Sequence, residues 1–146
     1  MSGKVFVDTN ILVYAHDLDA GQKHQTARKS IETLWENRCG MLSTQVMQEF
    51  YITLTRKITR PVPGNTVRSI LRNYLSWQTV VNDPGIIFLA GEIQEQNRIS
   101  FWDALIVSAA FSGNAGIILS EDLNHEQLIQ GIRIQNPFMD PLVFSS

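Results

Sequence analysis

Val5-Phe6-Val7-Asp8-Thr9-Asn10 places a carboxylate and an amide directly after a short apolar run. Val and Phe favour β-strands, so residues 4–7 are predicted to form a strand that ends just before Asp8. A second apolar run, Ile117-Ile118-Leu119, is closely followed by Asp122. Ligands of open α/β sheets bind where the strands end, so these two carboxylates indicate a functional site at one edge of a sheet.

The rest of the chain alternates short apolar strands with segments of helical periodicity. The predicted strands are 4–7, 41–43, 77–81, 116–119 and 132–134. The predicted helices are 11–16, 22–37, 43–57, 66–75, 84–97 and 100–113. Gly40 is expected to cap the second helix, because glycine suits the left-handed conformation of a helix end. Strands that alternate with helices predict a parallel sheet covered by helices on both faces.

Length and composition favour one soluble globular domain. The 146 residues suffice for one sizeable core and not for two, so we predict a single domain over residues 1–146. Hydrophobic residues make up 44% and charged residues 18%, which is ordinary for a folded protein. The sequence shows neither a membrane span nor a signal peptide, and Cys39 is its single cysteine. We therefore expect a cytoplasmic protein without membrane partners.

Charge is unevenly distributed along the chain, although the net charge is only −2. No acidic residue occurs from position 50 to 82. The basic residues of this segment are Arg56, Lys57, Arg60, Arg68 and Arg72. Such a segment could seat a phosphate backbone beside a metal site. The alternative is an ordinary solvated helical face, and the sequence leaves both interpretations open.

Four carboxylates stand at four separate places in the sequence: Asp8, Glu49, Asp103 and Asp122. Each alone has an ordinary explanation, such as a helix cap, a favourable interaction with a helix dipole or a solvent-exposed side chain. In a parallel sheet flanked by helices, however, all four can reach the same carboxyl edge. Grouped carboxylates repel one another unless a cation joins them, and an all-oxygen site favours Mg²⁺ or Mn²⁺. Without a cation, at least one of these acids should have a raised pKa.

Four stretches of the chain, taken in order, resemble the motifs of PIN-domain ribonucleases. They are 7–15 (VDTNILVYA), 47–51 (MQEFY), 100–106 (SFWDALI) and 119–123 (LSEDL). The sequence is most similar to VapC-type toxins of bacterial and archaeal toxin–antitoxin pairs, over essentially the whole chain. This resemblance implies a small three-layer α/β/α sandwich with a central parallel sheet. It also implies a metal-dependent endoribonuclease that hydrolyses RNA phosphodiester bonds.

The resemblance implies roles for individual acidic residues. Asp8 and Asp103 match the principal metal ligands of the family, which would bind Mg²⁺ or Mn²⁺. Glu49 and Asp122 match its other acidic positions, which complete the metal site directly or through water. All four are therefore expected to be catalytic.

Polar residues beside these acids match supporting positions of the family. Asn10 and Ser120 match residues that orient the metal ligands. Glu121 matches no fixed position, so no role is expected for it from the resemblance.

The resemblance further implies an RNA substrate and a small cognate antitoxin. We expect the antitoxin to bind a groove between the predicted helices 22–37 and 43–57, with Phe50, Tyr51 and Leu54 as apolar anchors. Phe50 and Leu54 fit a buried helical face equally well. A basic side chain of the antitoxin would reach the acids. Homodimers are common among similar proteins, but no stretch of this sequence identifies a dimer interface.

Other functions are disfavoured by particular residues. The main alternative is a non-catalytic RNA- or protein-binding PIN-like domain. This chain has an acid at each of the family's acidic positions, which argues against that alternative. Aspartate-based phosphatases need a second Asp where this chain has Asn10. Receiver domains need a lysine late in the chain, and no lysine follows Lys57 here. A serine hydrolase is unsupported, because the sequence has no Gly-x-Ser-x-Gly elbow.

Overall fold

A computed structural model describes residues 3–143 and contains a six-stranded sheet. Its strands are β1 (Lys4–Val7), β2 (Gly40–Ser43), β3 (Gln78–Val80), β4 (Ala115–Leu119), β5 (Leu128–Ile129) and β6 (Ile132–Gln135). The strand order is β3-β2-β1-β4-β6-β5. All neighbouring strands are parallel except β5, which runs antiparallel to β6. The sheet therefore places the carboxyl ends of β1 and β4 side by side.

Helices connect these strands and cover the sheet. They are α1 (Thr9–His16), α2 (Gln22–Asn37), α3 (Thr44–Ile52), α4 (Gly64–Tyr74), α5 (Pro84–Asn97) and α6 (Phe101–Ser112). A π-helical turn, Thr53–Lys57, continues α3. Helix α1 packs against α2 and α3, whereas α6 packs against α5 and the sheet. The predicted three-layer α/β/α sandwich is confirmed.

The core lies on the two central strands. Val5, Phe6 and Val7 of β1 are fully buried, as are Ile118 and Leu119 of β4. Central strands of a parallel sheet are covered on both faces, which explains why these runs are apolar at every position. Within residues 3–143, no helix is both long enough and apolar enough to cross a membrane.

Serine side chains fix the starts of two helices that carry candidate acids. The Ser43 hydroxyl accepts a hydrogen bond from the Val46 N–H at the start of α3, over 3.4 Å. The Ser100 hydroxyl accepts one from the Asp103 N–H at the start of α6, over 3.0 Å. Caps of this kind satisfy backbone donors that have no partner within the helix, so both helices begin at defined residues.

The end of α2 differs from the prediction. Arg38, and not Gly40, takes the left-handed conformation, with φ of 54°, and its N–H bonds to carbonyls of the last helical turn. Gly40 begins β2 instead, where an added Cβ would lie 2.4 Å from the Trp77 ring. Glycine is required at position 40 because the Trp77 ring packs directly against the backbone.

Other boundaries also differ from the prediction. Helix α1 begins at Thr9, two residues earlier than predicted, because Asp8 caps it. The hairpin strand β5 has no counterpart among the predicted strands, since it has only two residues and Leu128 is exposed. Its turn uses Gln130 and Gly131, both with positive φ, as tight hairpin turns require.

Candidate active site

Asp8 is the buried centre of the candidate site. Strands β1 and β4 pair Val7 with Leu119, so the residues that follow them, Asp8 and Ser120, are neighbours. The Ser120 hydroxyl donates to one carboxylate oxygen of Asp8 over 2.8 Å, and the Thr9 N–H donates to the other over 2.7 Å. Only 5% of Asp8 is exposed, and these donors fix its orientation.

The environment of Asp8 disfavours its charged form. Burial raises the pKa of Asp8 from 3.8 to about 7, and the negative charges of Asp103 and Asp122 add to the rise. Hydrogen bonds from Ser120 and Thr9 oppose it. The expectation of a raised pKa is thus confirmed, although burial contributes more than repulsion between the acids.

Asn10 links α1 to the turn that carries Asp122. Its side-chain N–H donates to the Asp122 carboxylate over 2.8 Å, and its carbonyl oxygen accepts from the Glu121 N–H over 3.3 Å. The Ser120 hydroxyl also accepts from the Asp122 N–H over 3.2 Å. Asp122 is exposed at the protein surface, so these bonds hold a solvent-facing carboxylate next to the buried one.

Glu49 is held by two residues that the sequence analysis did not identify. The Thr9 hydroxyl donates to one of its carboxylate oxygens over 2.6 Å. The Gln45 side-chain N–H lies 3.4 Å from the other and 3.2 Å from the Trp102 carbonyl oxygen. Gln45 is buried, and it joins α3 to the first turn of α6. The spacing of four residues, which places Gln45 and Glu49 on the same side of a helix, is the signal that could have identified it.

Asp103 faces the other acids from the first turn of α6. Burial raises its pKa, and the charges of Asp122 and Glu49 raise it further, whereas the Ser100 side chain lowers it. The charge of Asp122 thus acts on both Asp8 and Asp103, and the charge of Glu49 acts on Asp103. The structure therefore brings Asp8, Glu49, Asp103 and Asp122 to one edge of the sheet.

A cavity of about 580 Å³ opens beside these acids, between α1 and the extended α3. Its lining combines acidic, polar, apolar and basic side chains. They belong to Thr9, Asn10, Val13, Tyr14, Gln48, Glu49, Ile52, Thr53, Lys57 and Asp122. This volume lies within the usual range for small-ligand sites.

The π-helical turn places a basic residue on the wall of this cavity. The Ile58 N–H donates to the Thr53 carbonyl over 3.2 Å, which is the five-residue spacing of a π-helix. The wider turn keeps Thr53 and Lys57 on the same side as Glu49, and all three line the cavity. The neighbouring Arg56 is exposed and does not line the cavity.

Comparison with known proteins identifies the family of this fold. The family model for the PIN domain matches residues 5–129. The chain belongs to the PIN domain family. No match was found among curated proteins.

Several solved structures share the fold of this PIN domain. VapC20 from Mycobacterium tuberculosis, a toxin that cleaves the sarcin–ricin loop, is 18% identical, with a TM-score of 0.64 over 82% of this chain and 92% of that one. VapBC2 from Rickettsia felis, bound to promoter DNA, is 24% identical, with a TM-score of 0.63 over 90% and 97%. DNA-bound VapBC from Salmonella typhimurium is 15% identical, with a TM-score of 0.61 over 90% and 96%.

The basic residues of the 50–82 segment of this PIN domain differ in their contacts. Arg60 forms an ion pair with Asp19, with bonds of 2.8 and 2.9 Å, and Arg68 donates to the Tyr51 hydroxyl over 3.2 Å. Arg56 and Arg72 are exposed. Lys57 is the basic residue of this group that lines the cavity.

Two predicted antitoxin anchors are wrong, because Phe50 and Leu54 are fully buried in the core of the PIN domain. Both residues belong to a buried helical face, as the alternative interpretation required. Tyr51 is half-buried and lines a shallow apolar groove with Met47, Ile52 and Leu71. The accessible apolar surface therefore lies on a different face of α3.

A second cluster of potential metal ligands lies elsewhere in the described part of the chain. Ligand atoms of His125, Glu126 and Asp140 lie within 4.8 Å of one another, a closer spacing than that of the four acids. His125 Nδ1 accepts from the Asn136 N–H over 3.0 Å. The neutral ring must then carry its proton on Nε2, which faces Glu126 over 3.4 Å. This histidine has no free lone pair for a cation.

Proposed function

We propose that this chain is a divalent-metal-dependent endoribonuclease and the toxin of a toxin–antitoxin pair. The observation that carries the proposal is the convergence of Asp8, Glu49, Asp103 and Asp122 at the carboxyl edge of a PIN fold. Membership of the PIN domain family supports nuclease activity. The structural similarity to VapC20 and to two VapBC complexes supports the role of a toxin.

The chemistry of the donor set fits a hard divalent cation. All four candidate ligands are carboxylates, and oxygen-only sites suit Mg²⁺ and Mn²⁺. A cation would also offset the burial and the negative charge that raise the pKa of Asp8. We propose Asp8 and Asp103 as the principal ligands, with Glu49 and Asp122 acting directly or through water. When bound, the ion would neutralise the scissile phosphate and lower the pKa of an attacking water.

Neighbouring residues of the chain orient three of these carboxylates. Ser120 orients Asp8, Asn10 orients Asp122, and Thr9 orients Glu49 through direct hydrogen bonds. Such partners of metal ligands commonly change metal affinity or activity 10- to 100-fold when removed. Glu49 and Asp122 line the cavity, where a carboxylate can accept a proton from water.

The RNA-binding surface is proposed to centre on Lys57. Lys57 lines the same cavity as Glu49 and Asp122, so its ammonium group can contact a phosphate next to the cleavage position. Arg56, Arg68 and Arg72 are proposed to contribute only longer-range attraction, and Arg60 is paired with Asp19. The charge distribution thus supports a local phosphate contact more than a broad basic surface.

An antitoxin is the proposed protein partner. We place its apolar contacts on Tyr51 and the neighbouring groove, because Phe50 and Leu54 are buried. A basic side chain from the antitoxin would then reach the carboxylates through the adjoining cavity. Homodimer formation, a cytoplasmic location and a single domain over residues 1–146 stay predictions.

Growth assays test the biological role. Expression of the chain alone should arrest growth, expression of the Asp8→Asn variant should not, and co-expression with the reading frame immediately upstream should restore growth. Harmless expression of a folded, RNA-cleaving wild type would reject the toxin role and keep the ribonuclease. The alternative, a non-catalytic RNA- or protein-binding domain, predicts instead that RNA is never cut, whether or not it is bound.

A further inference from the structure

Tyr14 is an aromatic wall of the cavity, held in place by a residue without a role in the proposed catalysis. Its hydroxyl donates to the Glu121 carboxylate over 2.8 Å. Burial and the contact with Glu121 raise the pKa of Tyr14, so the hydroxyl remains a proton donor at neutral pH. Glu121 therefore fixes the outer end of a ring that lines the same cavity as Glu49 and Asp122.

Two further contacts restrain the Tyr14 ring. Lys23 of α2 forms an ion pair with Glu121, and its ammonium nitrogen lies 5.1 Å from the centre of the Tyr14 ring. Phe138 meets Tyr14 edge-on, with ring centres 5.5 Å apart and an angle of 80°. A ring held by a hydrogen bond, a cation and a second aromatic residue loses little freedom when a ligand binds against it.

The chemistry around Tyr14 matches that of a nucleotide. Val13 and Ile52 add apolar surface beside the ring, while Gln48 and Thr53 supply amide and hydroxyl groups. Lys57 supplies a cation for a phosphate. Proteins recognise single-stranded RNA through these same elements, with an aromatic face for the base, polar groups for its edge and a cation for the backbone.

We propose that this cavity is a nucleobase subsite for the nucleotide next to the scissile phosphate, with Tyr14 as the stacking residue. Glu121 and Lys23 act as positioning residues that hold the ring. This inference rests on the proposed ribonuclease function, because the acids beside the cavity define where the scissile phosphate lies. The occupant is an RNA base, since the polar and cationic lining continues directly into the carboxylate site.

A double-mutant cycle, which removes the Tyr14 ring from the protein and one base from the RNA, tests the stacking contact. Single-stranded RNA oligomers with one abasic nucleotide at each position around the mapped cleavage point would be bound to wild type and to Tyr14→Leu. Both proteins would also carry Asp103→Asn, so that the RNA stays intact. Removing a stacked base or the ring should each weaken binding about 5-fold or more. At one position, the two changes together should cost little more than either alone.

The matched control is Phe88→Leu, because Phe88 is an exposed aromatic residue that does not line the cavity. This variant should bind every oligomer like the parent protein, and thermal unfolding would verify the fold of both variants. The subsite is wrong if Tyr14→Leu binds every oligomer normally, or if the affinity losses from removing the base and the ring simply add at every position. If wild type still cuts RNA in either case, the ribonuclease proposal is retained. If Tyr14→Leu lost affinity for the antitoxin but not for RNA, the cavity would be a peptide-binding site, and the nucleobase subsite would be overturned. If the protein without any substitution neither binds nor cuts these oligomers, both proposals are overturned.

Glu121 offers a second test of the same ring. Glu121→Ala should raise the KM for the RNA several-fold with little change in kcat, because the ring loses its anchor and the acids keep theirs. Glu121→Gln retains an oxygen that accepts from the Tyr14 hydroxyl and should recover much of the lost KM. Equal losses of kcat in both variants would instead mean that Glu121 belongs to the catalytic site, and would overturn its positioning role.

Discussion

Ser120 donates its hydroxyl hydrogen bond to the buried carboxylate of Asp8 over 2.8 Å, across the ends of two adjacent parallel strands. This bond stabilises a carboxylate that its surroundings otherwise disfavour. Burial still raises the pKa of Asp8 to about 7, so ionising this carboxyl group in the metal-free folded protein costs free energy. The consequences can be measured both in stability and in metal binding.

The stability of the metal-free protein should fall as the pH rises. The pKa of Asp8 is about 7 in the folded protein and near its ordinary value of 3.8 in the unfolded chain. The folded state therefore binds the proton more tightly, and this contribution is full below pH 4 and is lost as the pH rises through 7. Asp8→Asn should remove this pH dependence, because asparagine carries no charge at any pH. At pH 8 the variant should therefore be more stable than wild type by on the order of 2 to 4 kcal/mol.

Thermal unfolding in EDTA from pH 4 to 8 checks this, with Glu92→Gln as a control that removes an exposed negative charge elsewhere. Burial lowers the pKa of His16 to about 4, which opposes the Asp8 effect in the same pH range. Both proteins contain His16, so its contribution cancels in the difference between them. Parallel stability curves for wild type and Asp8→Asn would contradict the raised pKa.

Metal binding should depend on pH in the opposite sense. A carboxylate must lose its proton to bind a cation, so the affinity for Mn²⁺ should fall as the pH drops below about 7. Calorimetric titration at pH 6 and pH 8 measures this directly. Asp8→Asn should bind much more weakly at both pH values, with little difference between them. Equal affinity of the wild type at pH 6 and pH 8 would show that Asp8 is not a ligand.

Thr9 should matter for activity without mattering for the fold. Thr9→Val removes the hydroxyl that donates to Glu49 and preserves the shape of the side chain. We expect a loss of about 10- to 100-fold in RNA cleavage, as for other partners of metal ligands. Thr9→Ser keeps the donor and should retain most activity. Equal rates for Thr9→Val and Thr9→Ser would leave the hydrogen bond without a catalytic role.

Lys57 and Arg56 form a matched pair of adjacent cations. Both lie in the π-helical turn, and of the two only Lys57 lines the cavity. Lys57→Ala should weaken RNA binding and reduce the salt dependence by about one released counterion, whereas Arg56→Ala should have a smaller effect. Fluorescence anisotropy at several salt concentrations compares the two. If the RNA affinities of Lys57→Ala and Arg56→Ala depended equally on salt, Lys57 would be an ordinary residue of a solvated helical face.

The sequence predicted those parts of the site that depend on local signals. An apolar run followed by an acid marks Asp8 and Asp122, and the capping residue Ser100 marks the start of α6, which carries Asp103 in its first turn. Periodicity also predicted α2 with its observed bounds, Gln22–Asn37. Such features depend on neighbours along the chain, and tertiary packing did not override them.

The remaining features depend on contacts between distant segments. Asn10 bonds to Asp122 across 112 positions, and Thr9 bonds to Glu49 across 40. Glu121 gains its contacts only when α1 and α2 meet the turn after β4. Helical spacing alone could not decide whether Phe50 faced the core or a partner, because both faces require an apolar residue.

RNA cleavage by purified protein tests the central claim most directly. Labelled single-stranded or looped RNA would be incubated with wild type and Asp103→Asn, with Mg²⁺ or Mn²⁺, and again after addition of EDTA. We predict that wild type cuts the RNA, that EDTA stops cleavage and added metal restores it, and that Asp103→Asn loses most activity while remaining folded. Cleavage that survives chelation, or an Asp103→Asn variant that cuts at the wild-type rate, would contradict a metal-dependent ribonuclease at these four carboxylates.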